Sequence, residues 1–255
     1  MKIVIIGSGN VATVLGRIIK LAGHIVTEVV GRGINHTEGL AKELDAKANT
    51  DINLITKEAD IYIIAVSDGA IKSVAETLMI PGKIVVHTSG SISKDVLQKS
   101  SDHYGVIYPL QSLRKEVKNI PQIPLLIDGN TTAVIKSITA FAESVSKKIK
   151  YANDTERLKL HVSAVFVSNF TNHLYTLAAG YCEKEAVDFS LLIPLIQEVA
   201  LRIADYNPIT VQTGPAVRGD AITIHKHLEL LSAYPELQKI YRVMTESIQQ
   251  LHSLS

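Results

Sequence analysis

The sequence predicts an α/β fold: a Rossmann-type, doubly wound parallel sheet over residues 1–152, followed by an all-helical domain over 153–255. Three observations lead there. Short Val/Ile-rich runs alternate with helix-like stretches through the first 150 or so residues, the pattern of βαβ units. A glycine-rich turn, Gly7-Ser8-Gly9-Asn10-Val11-Ala12, joins the first run to the first helix. Beyond residue 151 the texture changes, with no Gly or Pro between Lys150 and Gly180.

Strands are expected at 2–6, 25–30, 60–66, 83–87, 104–108 and 123–127. Most are apolar without strict alternation, as strands covered on both faces must be. Helices are expected between them at 11–21, 37–44, 70–78, 94–98 and 131–145, with Gly23 and Pro81-Gly82 as stops. In the second part Asn153-Asp154 suits a helix N-cap. The β-branched run 162–167 has strand composition, but the length of the stretch without Gly or Pro argues for a helix, and a largely buried one. Further helices are expected at 186–205, 220–232 and 235–251.

Composition narrows the function classes. The 255 residues are 46% hydrophobic and 20% charged, enough to bury a real core. Lys plus Arg number 26 against 25 Asp plus Glu, so no basic excess points to nucleic acid. Apolar runs are too short to span a membrane or to serve as a signal peptide, and Cys182 is the only cysteine. A soluble cytoplasmic protein is expected.

The glycine loop carries the chemistry. In G-x-G-x-x-A, Gly7 permits the tight turn, Gly9 lets backbone approach a pyrophosphate, and Ala12 lets the helix pack on the sheet. Ser8, Asn10 and Val11 complete a helix N-terminus whose free N–H groups and partial positive charge suit phosphates. At the end of the second strand, where an acidic residue would grip a ribose 2′-hydroxyl, stand Gly31-Arg32. Arg32 suits a 2′-phosphate, which selects NADP over NAD, unless it is only a solvent-facing loop residue. Val66 and Ser67 end the next long strand, at the carboxyl edge where a cofactor lies.

Other candidates lie on the same edge or in the helical part. His87 ends the fourth strand with Ser89-Gly90 beyond it, as an acid/base group or as a strand-end His bonded to backbone. Gln111 and Ser112 follow the fifth strand, to hydrogen-bond a substrate or cofactor amide or equally to begin the next segment as loop and cap. His161 and Asn169, eight residues apart, share roughly one helix face with Ser168 beside it. They can bind and protonate a polar substrate, or His161 can simply order helix packing. Arg218 can hold a carboxylate or form an ion pair within its loop, and Asp220 can cap the helix after it. His225 and His227, two apart on a helix, diverge, so no metal site is expected.

With the glycine loop, Ala65-Val66-Ser67-Asp68, His87-Thr88-Ser89-Gly90, Tyr108-Pro109-Leu110-Gln111-Ser112, His161 with Ser168-Asn169, and Thr213 through Asp220 in view, the chain resembles a family. It is similar to NADP oxidoreductases that join a Rossmann-like domain to a helical domain of unknown function. More distantly it resembles pyrroline-5-carboxylate reductases, ketopantoate reductases and β-hydroxyacid dehydrogenases. The resemblance implies hydride transfer between NADP(H) and a small carbonyl or imine, and a homodimer built through the helical domain. One departure matters: where the β-hydroxyacid dehydrogenases carry a catalytic Lys four residues before an Asn, this chain has Val165 before Asn169. An aliphatic side chain donates no proton, which leaves open a protein that binds NADP as a sensor without catalysis.

Overall fold

The structure, a computed structural model, describes residues 1–117 and 119–253. It divides into two compact units, Met1–Phe170 and Thr171–Ser255.

The first unit is built on one eight-stranded sheet of order β3-β2-β1-β4-β5-β6-β7-β8. The strands are β1 (Lys2–Ile6), β2 (Ile25–Val30), β3 (Lys47–Asn49), β4 (Ile61–Ile64), β5 (Ile84–His87), β6 (His103–Pro109), β7 (Leu125–Gly129) and β8 (Ile149–Tyr151). The first six pair in parallel; β7 runs antiparallel to β6, and β8 returns parallel to β7. Alternate residues of one strand feed opposite faces. Ile3 and Ile5 join a core with Leu15, Leu40 and Phe141, while Val4 and Ile6 join another with Ile71, Ala75 and Leu97. Helices α1 (Asn10–Leu21), α2 (Ile34–Leu44), α3 (Asp68–Thr77) and α4 (Thr132–Val145) cover these faces. The chain order reverses between β1 and β4, which opens a crevice at their carboxyl ends.

Local expectations change in this unit. The helix expected at 94–98 is a single 3₁₀ turn, Lys94–Leu97, capped by the Ser93 side chain. The stretch after Asn153 begins as α5 (Asp154–Ala164) behind a complete Asn153/Glu156 capping box, then widens into a π-helical turn, Val165–Phe170. Its apolar run is not buried within the chain: Phe166 is 62% and Val167 73% exposed.

The second unit is helical: α6 (Thr171–Lys184), α7 (Ile193–Asp205), α8 (Ala221–Leu230) and α9 (Pro235–Ser253). The helix expected from 186 starts late because Ala186 is left-handed (φ 54°) and a 3₁₀ turn, Phe189–Leu192, follows. Pro194 then sits in the first turn, where its missing N–H costs nothing. Among the described residues the unit buries only Cys182, Ala216 and Leu231 as hydrophobic core.

Candidate functional site

Gly7 leaves β1 with φ +130°, and a Cβ there would stand 2.2 Å from the Ala65 carbonyl oxygen on β4's exit. Only glycine fits that turn. Gly9, the N-cap of α1, makes no side-chain cap and has nothing within 4 Å of where a Cβ would stand. The first N–H groups of α1 therefore face open space, with the positive end of the helix behind them.

A cleft of about 530 Å³ lies over this turn. Gly7, Ser8 and Gly9 line it together with Gly31-Arg32-Gly33, with Val66 and Ser67, and with Ala70, Ser73, Val74 and Thr77 of α3. Of the expected cofactor residues, Asn10 and Val11 lie elsewhere. The Asn10 amide oxygen accepts the Lys115 N–H at 3.3 Å, and Val11 lines a second cleft. Glu28 cannot compete for a ribose. It is buried and accepts hydrogen bonds from Asn49 Nδ2 (2.7 Å) and the Thr56 N–H (2.8 Å). Beside Arg32, Gly33 is the N-cap of α2, which has no side-chain cap and no acidic residue in its first turn. A cradle emptied of side chains, an uncapped helix start and an exposed arginine fit a 2′-phosphorylated dinucleotide.

The second cleft, about 520 Å³, adjoins the first across the glycine loop, since Gly9 faces one and Val11 the other. It brings together His161, Ser168 and Asn169 from α5 and the π-helical turn with Gln111 and Ser112 after β6. Gln111 is partly engaged, because its side-chain oxygen accepts the Ser112 N–H at 2.9 Å. Val165 also lines this cleft.

Two expected residues line neither cleft, and a third, Arg218, belongs to the second unit. His87 is wholly buried; its Nδ1 accepts the Ser89 N–H at 3.2 Å. Burial foremost, then the Arg157 guanidinium, pushes its pKa down to about 4, so it stays neutral and away from solvent. Ser89 is buried too, and its Oγ accepts the N–H groups of Ser91 and Ile92, both at 3.1 Å, as a turn former. Arg218 is exposed in a loop of the second unit, where Asp220 caps α8 through the Thr223 N–H at 3.0 Å.

The structure adds groups that sequence reasoning passed over. Tyr108, the penultimate residue of β6, lines the second cleft with its hydroxyl 2.8 Å from His161 Nδ1. Gly90 presses against both: a Cβ there would stand 2.8 Å from His161 Nδ1 and 2.9 Å from Tyr108 Cζ. Behind them Arg157, 1% exposed, donates to the Ser89 and Ile92 carbonyls (3.1 and 2.6 Å) and to Asp154 (2.8 Å). That fork holds the loop after β5 against α5, and with it Gly90. Tyr108 stands in the Tyr-Pro-Leu-Gln-Ser string, but its bond to a residue 53 positions later has no local signal.

Comparison with known proteins divides the chain earlier than the compact units do, ahead of β7. Residues 1–111 match the Rossmann-like domain family, and residues 123–248 the domain of unknown function DUF2520. No curated protein matches. Among solved structures, the "putative NADP oxidoreductase" of Bacteroides fragilis is 33% identical, with a TM-score of 0.89 and 98% of each chain covered. A 1-pyrroline-5-carboxylate reductase of Streptococcus pyogenes is 15% identical (TM-score 0.64, 98% of each chain covered). An imine reductase of Myxococcus stipitatus in complex with NADP+ is 18% identical (TM-score 0.64, 99% of this chain and 93% of that one). The last two share the fold. At 33% identity over nearly its whole length, the chain belongs to the family of the Bacteroides protein, in which a Rossmann-like domain is joined to a DUF2520 domain.

Proposed function

We propose that this protein is an NADPH-dependent reductase that delivers a hydride to a small carbonyl or imine. The observation that carries the reading is the pair of clefts meeting at the glycine loop. The first suits the adenosine end and diphosphate of the cofactor; the second suits the nicotinamide end and a substrate. The family relation to an NADP oxidoreductase and the fold shared with imine and pyrroline-5-carboxylate reductases support it.

When bound, the cofactor supplies the hydride. The chain supplies the rest: Gly7, Ser8, Gly9 and α1 hold the diphosphate, Arg32 the 2′-phosphate, and Val66 and Ser67 line the same cleft. His161 and the Tyr108 hydroxyl bonded to it form the acid/base pair of the second cleft, while Gln111, Ser168 and Asn169 orient the substrate's polar atoms. Ser89 and His87 support the loop behind them. Arg32→Asp should raise the NADPH dissociation constant about 10- to 100-fold, the worth of a charge-assisted contact, and change NADH binding much less. Equal weakening of both in a fluorescence titration would count against the phosphate role.

Val165 favours a second reading, an NADP sensor without turnover, because the cleft lacks a lysine at that place. NADPH oxidation measured across imines, 2-ketoacids and 3-ketoacids separates the two. Normal NADPH affinity with turnover of none of them supports the sensor.

The second unit is also the place where a second copy of the chain packs. Its helices α7 and α9 bury no residue, and Leu195, Leu201 and Ile203 on α7 are all more than half exposed. So much apolar surface on an amphipathic helix calls for a partner. Leu201→Glu should halve the mass seen by light scattering; an unchanged mass would remove α7 from the interface. The single buried Cys182 has no disulfide to make, which suits a reducing cytoplasm.

A further inference from the structure

We infer that Tyr108 is the catalytic residue that hands the proton to the substrate, with His161 standing behind it to restore that proton. This rests on the reductase reading and divides the labour within its acid/base pair.

Both side chains line the second cleft, and the 2.8 Å contact between the Tyr108 hydroxyl and His161 Nδ1 makes them one hydrogen-bonded unit. Their rings meet edge to face, with centroids 5.8 Å apart and planes at 78°. Gly90 closes the third side, and no larger residue fits against that bond.

The order within the pair follows from what each member adjoins. Tyr108 sits at the carboxyl end of β6, on the sheet edge that bears the cofactor crevice, whereas His161 belongs to α5. Tyr108 also shares its cleft with Thr88, Pro109 and Val11 of α1, the helix that opens behind the glycine loop. Burial first, then Asp68, raises the phenol above the ordinary tyrosine range, outweighing Arg157, so it enters the reaction protonated.

The balance is simple. Carbon of the C=N or C=O bond receives the hydride with its two electrons, and nitrogen or oxygen takes the proton from the Tyr108 O–H. The phenolate then takes the proton on His161 Nδ1, and His161 recovers one from solvent. When His161 carries both ring protons, its Nδ1–H donates to the phenol oxygen and leaves the Tyr108 O–H free to point at substrate.

The test uses the full-length protein, NADPH and whichever compound of an imine and ketoacid panel the wild type reduces fastest. Tyr108→Phe should lower kcat about 10²- to 10⁴-fold, the usual worth of a positioned acid, with KM and NADPH affinity within about twofold. His161→Asn should lose at least tenfold less. Gly90→Ala should behave like Tyr108→Phe while still binding NADPH. Independently of turnover, imidazole ¹⁵N NMR of the free protein should show the His161 Nδ1 signal shifting in Tyr108→Phe. If Tyr108→Phe keeps a third or more of kcat while His161→Asn loses it, His161 delivers the proton directly and the inference is overturned, with the reductase reading intact. An unshifted Nδ1 signal overturns the pairing itself. If the wild type binds NADPH but reduces nothing, the reductase reading fails and this inference falls with it.

Discussion

Replacing Gly7 by alanine should cost about 3 kcal/mol of stability, roughly 6–12 °C in Tm for a chain of this size, and should also abolish NADPH binding. Two causes add. The backbone at φ +130° is closed to L residues, and the new methyl would stand 2.2 Å from the Ala65 carbonyl oxygen, itself fixed by β4 pairing with β1. Gly9→Ala is the control. Nothing lies within 4 Å of its Cβ position, so Tm should hold while NADPH binding falls about 10- to 100-fold, because the methyl occupies the diphosphate's approach. Thermal melts with a fluorescence titration read both quantities. If Gly9→Ala bound NADPH like the wild type, the diphosphate would not lie over this turn, and the cofactor assignment would lose its base.

That contrast also marks how much was legible beforehand. The strands at 2–6 and 25–30 are readable to the residue because Val/Ile-rich runs end at glycine or follow it closely. The edge strands β3 and β8 are not, since Lys47–Asn49 and Ile149–Tyr151 are three residues each and mix polar with apolar. They become strands only because β2 and β7 offer unpaired edges. In the first cleft, the expected residues Gly7, Ser8, Gly9, Arg32, Val66 and Ser67 converge, because a glycine loop and strand ends place residues by local rules. The second cleft joins β6 to α5, and that is long-range packing. Neither the Tyr108–His161 bond nor the Arg157 fork that sets Gly90 against it leaves a periodicity to read. Helix period put His161 and Asn169 near one face, and they do share the cleft, although a π-helical turn intervenes. Such turns are concentrated at functional sites, and no residue pattern announces them.

His87 supplies the second large effect, through pH. Unfolded, its imidazole takes a proton below about 6.5; folded, burial and Arg157 delay this to about 4. Between those values the unfolded chain binds more protons than the folded one. The stabilisation is therefore complete above pH 6.5 and drains away as pH falls toward 4, by about 3 kcal/mol over the window. His87→Leu should melt lower than wild type at pH 7.5, because the Ser89 N–H loses its acceptor, a cost of about 1–3 kcal/mol. Its Tm should nevertheless fall less steeply on acidification, so the two curves converge near the bottom of the range. Parallel curves would mean that His87 titrates alike in both states. Because the same imidazole anchors the turn that carries Gly90, acid should disturb that turn before it reaches the glycine loop. In wild type, Tyr108-dependent turnover should then decline at a higher pH than NADPH binding does, and in His87→Leu that gap should narrow.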